Sequence, residues 1–306
     1  MFQEKSYENH ARGFVSDLTE PHRQRIAASW FDNTTADAWR NARGYEIADY
    51  LGGVPTDNWL TIGDGRFGLD AIRLKARGVA NVLATNLDPT LLQVSLDQGR
   101  ITDFRIENAE RLSFADKTFD YAFCKESYHH FPRPMIALYE MLRVARKGII
   151  LVEPNDRINS PGRMIVAALK RMLGGPAKHM DQSNYEEDGN YVYTISQREI
   201  EKVALGLDIS QVAFKGLNDY YVVGVEFEPA NAAKSRLYRK MRRMISLRDF
   251  LCRIGLDRPL FLMACIFHEP VSAGQRSRML ENGWKISDMP RNPHLSSSAE
   301  AGQASK

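Results

Sequence analysis

The pattern of apolar runs predicts an α/β fold, a mostly parallel sheet with helices on both faces. Short apolar runs alternate with helical periodicities from Trp59 to Glu153, which puts covering helices between parallel strands. The first run, Trp59 to Ile62, feeds Gly63-Asp64-Gly65-Arg66-Phe67-Gly68. Three glycines there let backbone approach a ligand where a side chain would collide, so the loop marks a nucleotide-type site.

Each element follows in order. Residues 1–55 are a polar and aromatic prelude in which Ala36 to Leu51 has helical spacing, with Trp39, Ala42, Ile47 and Tyr50 sharing a face. Strands are expected at 59–63, 80–85, 104–107, 119–124 and 148–153, and helices at 68–77, 89–97 and 134–145. After Pro154 the regularity breaks. Residues 156–190 mix Gly162, Gly174-Gly175-Pro176 and the polar run Asp181 to Asn190 around one apolar-basic helix, the pattern of an inserted helical cap. A helix at 196–205, a strand at 209–214, a basic helical stretch at 232–254 and a last core strand at 260–268 follow. A helix-strand appendix near 276–290 precedes a Ser-, Ala- and Gln-rich tail with the composition of disorder. The expected organisation is a prelude or lid at 1–55 and a main domain at 56–270 with insertions at about 156–190 and 225–258. A C-terminal appendix at 271–294 and a tail at 295–306 complete it.

A chain of 306 residues, 43% hydrophobic and 26% charged, has ordinary globular composition, and a net charge of +3 is too small to imply nucleic acid by itself. Cys124, Cys252 and Cys265 lack the spacing of a disulfide framework or thiolate metal site, which fits a reducing compartment. The amino terminus has no apolar signal core, and the run Leu260 to Phe267 is too short to span a bilayer. A soluble, cytoplasmic protein is expected.

Gly63, Gly65 and Gly68 also have the G-x-G-x-x-G spacing of Rossmann-like dinucleotide folds, so the loop alone does not choose between nicotinamide, flavin and S-adenosylmethionine. At the end of the second strand, Asn86 stands where a ribose-binding acid is usual, and Asp88 lies two residues on. The discriminating segments come next: Glu107-Asn108-Ala109-Glu110-Arg111-Leu112-Ser113-Phe114, then Phe119-Asp120-Tyr121-Ala122-Phe123-Cys124, Tyr128-His129-His130-Phe131, Ala137 to Val144, and Gly148 to Pro154. In this order they resemble class I S-adenosylmethionine-dependent methyltransferases of the methyltransferase-11-like kind, closely over about 59–155 and more loosely over Tyr193 to Tyr221. The resemblance implies a Rossmann-like, doubly wound, seven-stranded sheet, S-adenosylmethionine as methyl donor and no required metal. Lys125 to Pro134, with Gly283-Trp284-Lys285 and Pro290-Arg291-Asn292-Pro293, also resembles members associated with bacterial surface-polysaccharide biosynthesis. That implies O-methylation of a sugar or glycan precursor.

On this resemblance Gly63, Asp64, Gly65 and Gly68 receive the methionine and ribose portions, with Asp64 toward the ammonium. Asn86 and Asp88 serve the ribose, and Leu87, Asn108, Ala109 and Glu110 serve the adenine. Lys125 joins them as a cofactor-side charge. Two amides, Asn86 and Asn108, replace expected carboxylates, and the loss of a charged acceptor costs about 1 kcal/mol. A non-catalytic binder of S-adenosylmethionine or S-adenosylhomocysteine therefore stands as an alternative, and a dinucleotide oxidoreductase as a more remote one.

Residues leaving the fourth strand emerge at the carboxyl edge of the sheet, so Glu126, Tyr128, His129 and His130 are candidates for substrate contact. His129 or His130 is the candidate base for a hydroxyl acceptor, since imidazole titrates near neutrality, although one of the pair can instead pack against the next helix. Glu153 and Asn155 end the fifth strand and are substrate candidates or, equally, a turn. Trp39, Arg40 and Arg43 are lid candidates on the same resemblance. The stretch 234–254 carries Lys234, Arg236, Arg239, Lys240, Arg242, Arg243, Arg248 and Arg253 over an apolar stripe. It reads as a solvated face or as a peripheral contact with anionic lipid. No nucleic-acid partner is expected, because an N-P-P-Y tetrad is missing.

Overall fold

The computed structural model describes residues 8, 17–157, 160–172, 185 and 191–294. The tail expected at 295–306, most of the first sixteen residues and much of the expected cap at 156–190 lie outside them. The strands are β1 (Asn58–Ile62), β2 (Asn81–Asn86), β3 (Phe104–Ile106), β4 (Phe119–Lys125), β5 (Ala145–Pro154), β6 (Gln211–Leu217), β7 (Phe261–Phe267) and β8 (Lys285–Asp288). They form one sheet in the order β3-β2-β1-β4-β5-β7-β6-β8. β1 to β5 pair in parallel, β7 runs antiparallel to both β5 and β6, and β8 antiparallel to β6.

Eight strands stand where seven were expected. The additional one comes from the appendix, whose Lys285 to Asp288 zips onto the free edge of β6 through pairs such as Phe214↔Lys285 and Gln211↔Asp288. Its helix is Ala273–Glu281, started by a capping box in which Ser272 and Gln275 satisfy each other's backbone N–H groups.

Side-chain alternation divides the core between the two faces of the sheet. Leu60, Ile62, Ile149 and Leu151 pack on one face with Leu138, Met141 and Ile200. Trp59, Tyr121, Phe123 and Ile150 pack on the other with Tyr45, Leu51 and Met263. The inner helices follow their predicted periodicities: α4 (Leu69–Ala76), α5 (Thr90–Asp97), α6 (Pro134–Val144) and α8 (Gln197–Gly206).

The prelude is not one helix. It comprises α1 (Pro21–Ser29), α2 (Ala36–Ala42), a 3-10 turn Arg43–Tyr45 and α3 (Ala48–Leu51). Within that turn Gly44 leaves room for the Lys125 stem, since an added Cβ would sit 2.8 Å from Lys125 Cε. The basic stretch is helix α9 (Arg236–Arg253), and it packs on the prelude instead of standing apart. Ala36, Val225, Tyr238, Met241 and Ile245 form a small core of their own, with Trp39 edge-on to Tyr238 at 5.2 Å. Within 160–172 one helix is described, α7 (Pro161–Met172). No described helix is long and apolar enough to cross a membrane.

Strand order reverses between β2-β1 and β4-β5, and in open α/β sheets the crevice beyond the strand ends at such a reversal is where ligands bind.

Candidate functional site

A cavity of about 630 Å³ opens at that reversal, within the range for small-molecule sites. Gly63, Asp64, Gly65 and Arg66 line it from the loop after β1, Asn86 to Asp88 from the end of β2, and Glu107 to Glu110 from the end of β3. Lys125, Glu126, Ser127, His129 and His130 line it beyond β4, and Asp37, Arg40 and Tyr45 from the prelude.

The loop is built for close approach. Gly63 has φ +71°, and a Cβ there would fall 2.6 Å from Ser127 Cβ, while the Ser127 hydroxyl donates to Gly63 O at 2.8 Å. Gly68 serves close packing. It does not line the cavity; at φ +67° it starts α4, and its missing Cβ leaves room for Ile101 and Leu92.

Asp64 is also committed internally. Its carboxylate accepts the Asp70 and Ala71 N–H groups at 3.0 and 2.9 Å and the Thr61 hydroxyl at 2.9 Å, which caps the first turn of α4. Asp70 accepts from the Tyr45 hydroxyl, whose oxygen accepts in turn from Arg73 Nη1 at 3.3 Å. Burial, reinforced by the Asp70 charge, pushes Asp64 up to about 7. Burial likewise raises Asp70, against the pull of Lys125 and the Tyr45 hydrogen bond. Both groups bind a proton more tightly folded than unfolded, so their contribution to stability is full below about pH 4 and fades as pH rises through about 7. Asp70→Asn removes one charge of the pair. Urea unfolding from pH 5 to 8 should therefore show stability falling less with pH in the variant than in wild type.

At the end of β2, Asn86 lines the cavity and donates through Nδ2 to Asp88 O at 2.8 Å. The Asp88 carboxylate accepts Thr90 N–H at 2.8 Å as the cap of α5. Leu87 is exposed at the cavity wall, and Asn108 Oδ1 accepts Glu110 N–H at 2.9 Å, with Ala109 between them also in the lining. The Glu110 side chain is drawn off to Arg133, whose N–H and Nε donate to it at 2.6 and 2.8 Å.

Lys125 pairs with Glu126 and lies over the Tyr45 ring at 5.6 Å. Glu126 takes φ +51°, unusual for a residue with a Cβ, where the chain bends from β4 into the 3-10 turn Tyr128–His130. Burial would raise its pKa, but Lys125, Arg40 and His129 together hold it below the ordinary value.

Glu153, Asn155 and Tyr128 do not face this cavity. The fully buried Glu153 carboxylate accepts Ser127 and Tyr128 N–H through Oε1 at 3.0 Å each, and its Oε2 lies 2.6 Å from His129 Nδ1. Asn155 ties down the chain before β7 by donating to Pro259 O at 2.9 Å. The Tyr128 hydroxyl meets Met135 Sδ at 3.3 Å, beside a second cavity of about 290 Å³ lined by Ile136, Tyr193 and Ile200. The two histidine rings lie 4.0 Å apart, tilted by 42°, and Glu153 orients His129. Of the lid candidates, Arg40 reaches the cavity while paired to Asp37 and Asp219; Arg43 pairs with Asp219 and Trp39 packs on Tyr238.

Residues absent from the sequence reading include Tyr45, Asp70, Arg73, Tyr221 and Glu226. Asp70 carried a local signal, an acid in the first turn after a glycine loop. Tyr45, Tyr221 and Glu226 come from segments distant in sequence and carried none.

The residues present fit S-adenosylmethionine by the chemistry of their groups: arginines for a carboxylate, buried carboxylates for cationic centres, Asn86 for ribose and Leu87 for a base. Among the described residues no three His, Cys, Asp or Glu side chains gather as a metal site.

The chain is similar in structure to an S-adenosylmethionine-dependent methyltransferase from Thermotoga maritima described as a possible histamine N-methyltransferase (14% identity, 76% of this chain and 94% of that one, TM-score 0.44). It is similar to one from Archaeoglobus fulgidus (14%, 74% and 94%, 0.46) and to a putative sarcosine dimethylglycine methyltransferase from Galdieria sulphuraria (13%, 76% and 85%, 0.45). No curated protein matches the chain. Residues 60–152, from β1 to β5, match the methyltransferase domain family, and the methyl donor of that family is S-adenosylmethionine.

Proposed function

We propose that the protein moves a methyl group from S-adenosylmethionine to a hydroxyl oxygen of a small polar acceptor, a sugar or glycan precursor, with His129 as general base. The observation that carries this reading is the contact of buried Glu153 with His129 Nδ1 at the wall of the cavity. A carboxylate on Nδ1–H fixes the tautomer in which Nε2 is the basic nitrogen and stabilises the imidazolium once a proton arrives. S-adenosylmethionine supplies an electrophilic methyl that an oxygen nucleophile displaces in line. The chain's own work is to align the acceptor, exclude water and remove the hydroxyl proton. Asp37, Arg40, Tyr221 and Glu226 add hydrogen-bonding groups to the lining, which suits a polyol. The resemblance to polysaccharide-associated members supports the same acceptor class, in a cytoplasmic setting.

Incubation with S-adenosylmethionine and a panel of sugar nucleotides and glycosides, read by mass spectrometry, tests it. Wild type should add one methyl to at least one acceptor, and His129→Asn should be slower by roughly 10²–10⁴-fold. Equal rates in the variant would remove the base. Binding of S-adenosylhomocysteine without any product would favour a non-catalytic relative.

A further inference from the structure

Helix α9 has two faces of opposite character. Tyr238, Met241 and Ile245 are buried against the prelude. Directly opposite, one stripe at helical spacing begins as exposed Arg236, Arg239, Lys240 and Arg243 and continues as exposed Leu247, Phe250 and Ile254. A face that changes from basic to apolar along its length is not the uniformly polar face of a solvated helix.

The apolar end continues into α7. That helix begins against the turn after α9, where Gly162 N–H donates to Leu256 O at 2.6 Å and the Ser160 hydroxyl to Asp257 Oδ1 at 2.6 Å. Along it Met164, Ile165, Leu169 and Met172 are all exposed, Met172 by 83%. These four fall on one side of the helix, and exposed Arg171 borders them next to Met164, one charged residue at the edge of the apolar side. Scattered exposed hydrophobics are ordinary, but a run of them on two helices that meet at the turn after α9, beside a basic stripe, is not.

We propose that α7 and the outward face of α9 dock on an anionic lipid bilayer. Met164, Ile165, Leu169, Phe250 and Ile254 enter the boundary between headgroups and acyl chains, and Arg239, Lys240 and Arg243 meet lipid phosphates. Charge complementarity selects this occupant: cations adjoin the apolar surface, as headgroup phosphates adjoin acyl chains. A protein partner is a poorer match, because interface cores are depleted of charge and Lys is disfavoured there. Nucleic acid would leave the apolar half without a partner. The inference is independent of the methyl-transfer reading.

Co-sedimentation of the full chain with vesicles of mixed phosphatidylglycerol and phosphatidylcholine, against pure phosphatidylcholine, is the test. Wild type should bind the anionic vesicles, release them at high salt and leave neutral vesicles largely unbound. The triple variant Arg239→Gln, Lys240→Gln, Arg243→Gln should lose about 100-fold in vesicle affinity, at about fivefold per neutralised cation. Leu169→Glu with Phe250→Glu should lose at least about tenfold by removing the inserted surface. All five positions are exposed and outside the cavity, so unchanged melting temperature and S-adenosylhomocysteine binding certify the variants' fold. Wild type remaining in the supernatant, the apolar variant binding as wild type does, or duplex DNA displacing the vesicles would each overturn the proposal.

Discussion

Glu153→Gln is expected to lower methyl transfer by roughly 10²–10⁴-fold, the usual worth of a general base, while S-adenosylhomocysteine affinity changes little. Two backbone donors decide how the amide sits. Ser127 and Tyr128 N–H both point at Oε1, so the amide must place its oxygen there and its NH₂ group opposite His129 Nδ1. That NH₂ donates to Nδ1 and forces the ring proton onto Nε2, the nitrogen that has to accept. The fold should survive, because the buried donors keep their acceptor. The check is steady-state kinetics on an acceptor found in the panel, with calorimetry of S-adenosylhomocysteine alongside. A decrease confined to KM would contradict the tautomer argument.

Gly63→Ala is expected to remove cofactor binding and destabilise the fold by about 3 kcal/mol. Left-handed backbone costs an L-residue about 1–2 kcal/mol, and Gly63 sits at φ +71°. Overpacking adds about 1–3 kcal/mol, since the new methyl would lie 2.6 Å from Ser127 Cβ. Ser127 cannot yield easily, because its hydroxyl holds Gly63 O and its N–H holds Glu153. Thermal unfolding should shift down by several degrees, and calorimetry should show no S-adenosylhomocysteine heat. Gly68→Ala should also destabilise, through the same φ penalty and Ile101 and Leu92, but with a smaller effect on binding, because Gly68 does not line the cavity.

What the sequence disclosed was what local patterns encode. β1, β4 and β5 are largely apolar runs buried on both sides, β2 is buried over its second half, and the glycine loop sits where the first of them ends. β8 was legible only as part of a small appendix, since its role as an edge strand depends on β6, distant in sequence. Glu153 illustrates a signal present but unread. Along β5 it shares a face with Ile149 and Leu151, both core residues, so strand parity alone makes it a buried acid in need of a partner, and the histidine pair after β4 supplies one. Asp64 has a second task that its place in a ligand loop did not disclose: it lines the cavity and also caps α4. The room Gly44 leaves for Lys125 and the seating of α9 on the prelude depend on contacts across the fold, which no window of sequence contains.

The measurement that bears most directly on the account is isothermal calorimetry of the full chain with S-adenosylhomocysteine and, separately, with NAD. Saturable one-site binding of S-adenosylhomocysteine, abolished by Gly63→Ala and absent with NAD, is the predicted result. Binding of NAD with no heat from S-adenosylhomocysteine at millimolar concentration would contradict it.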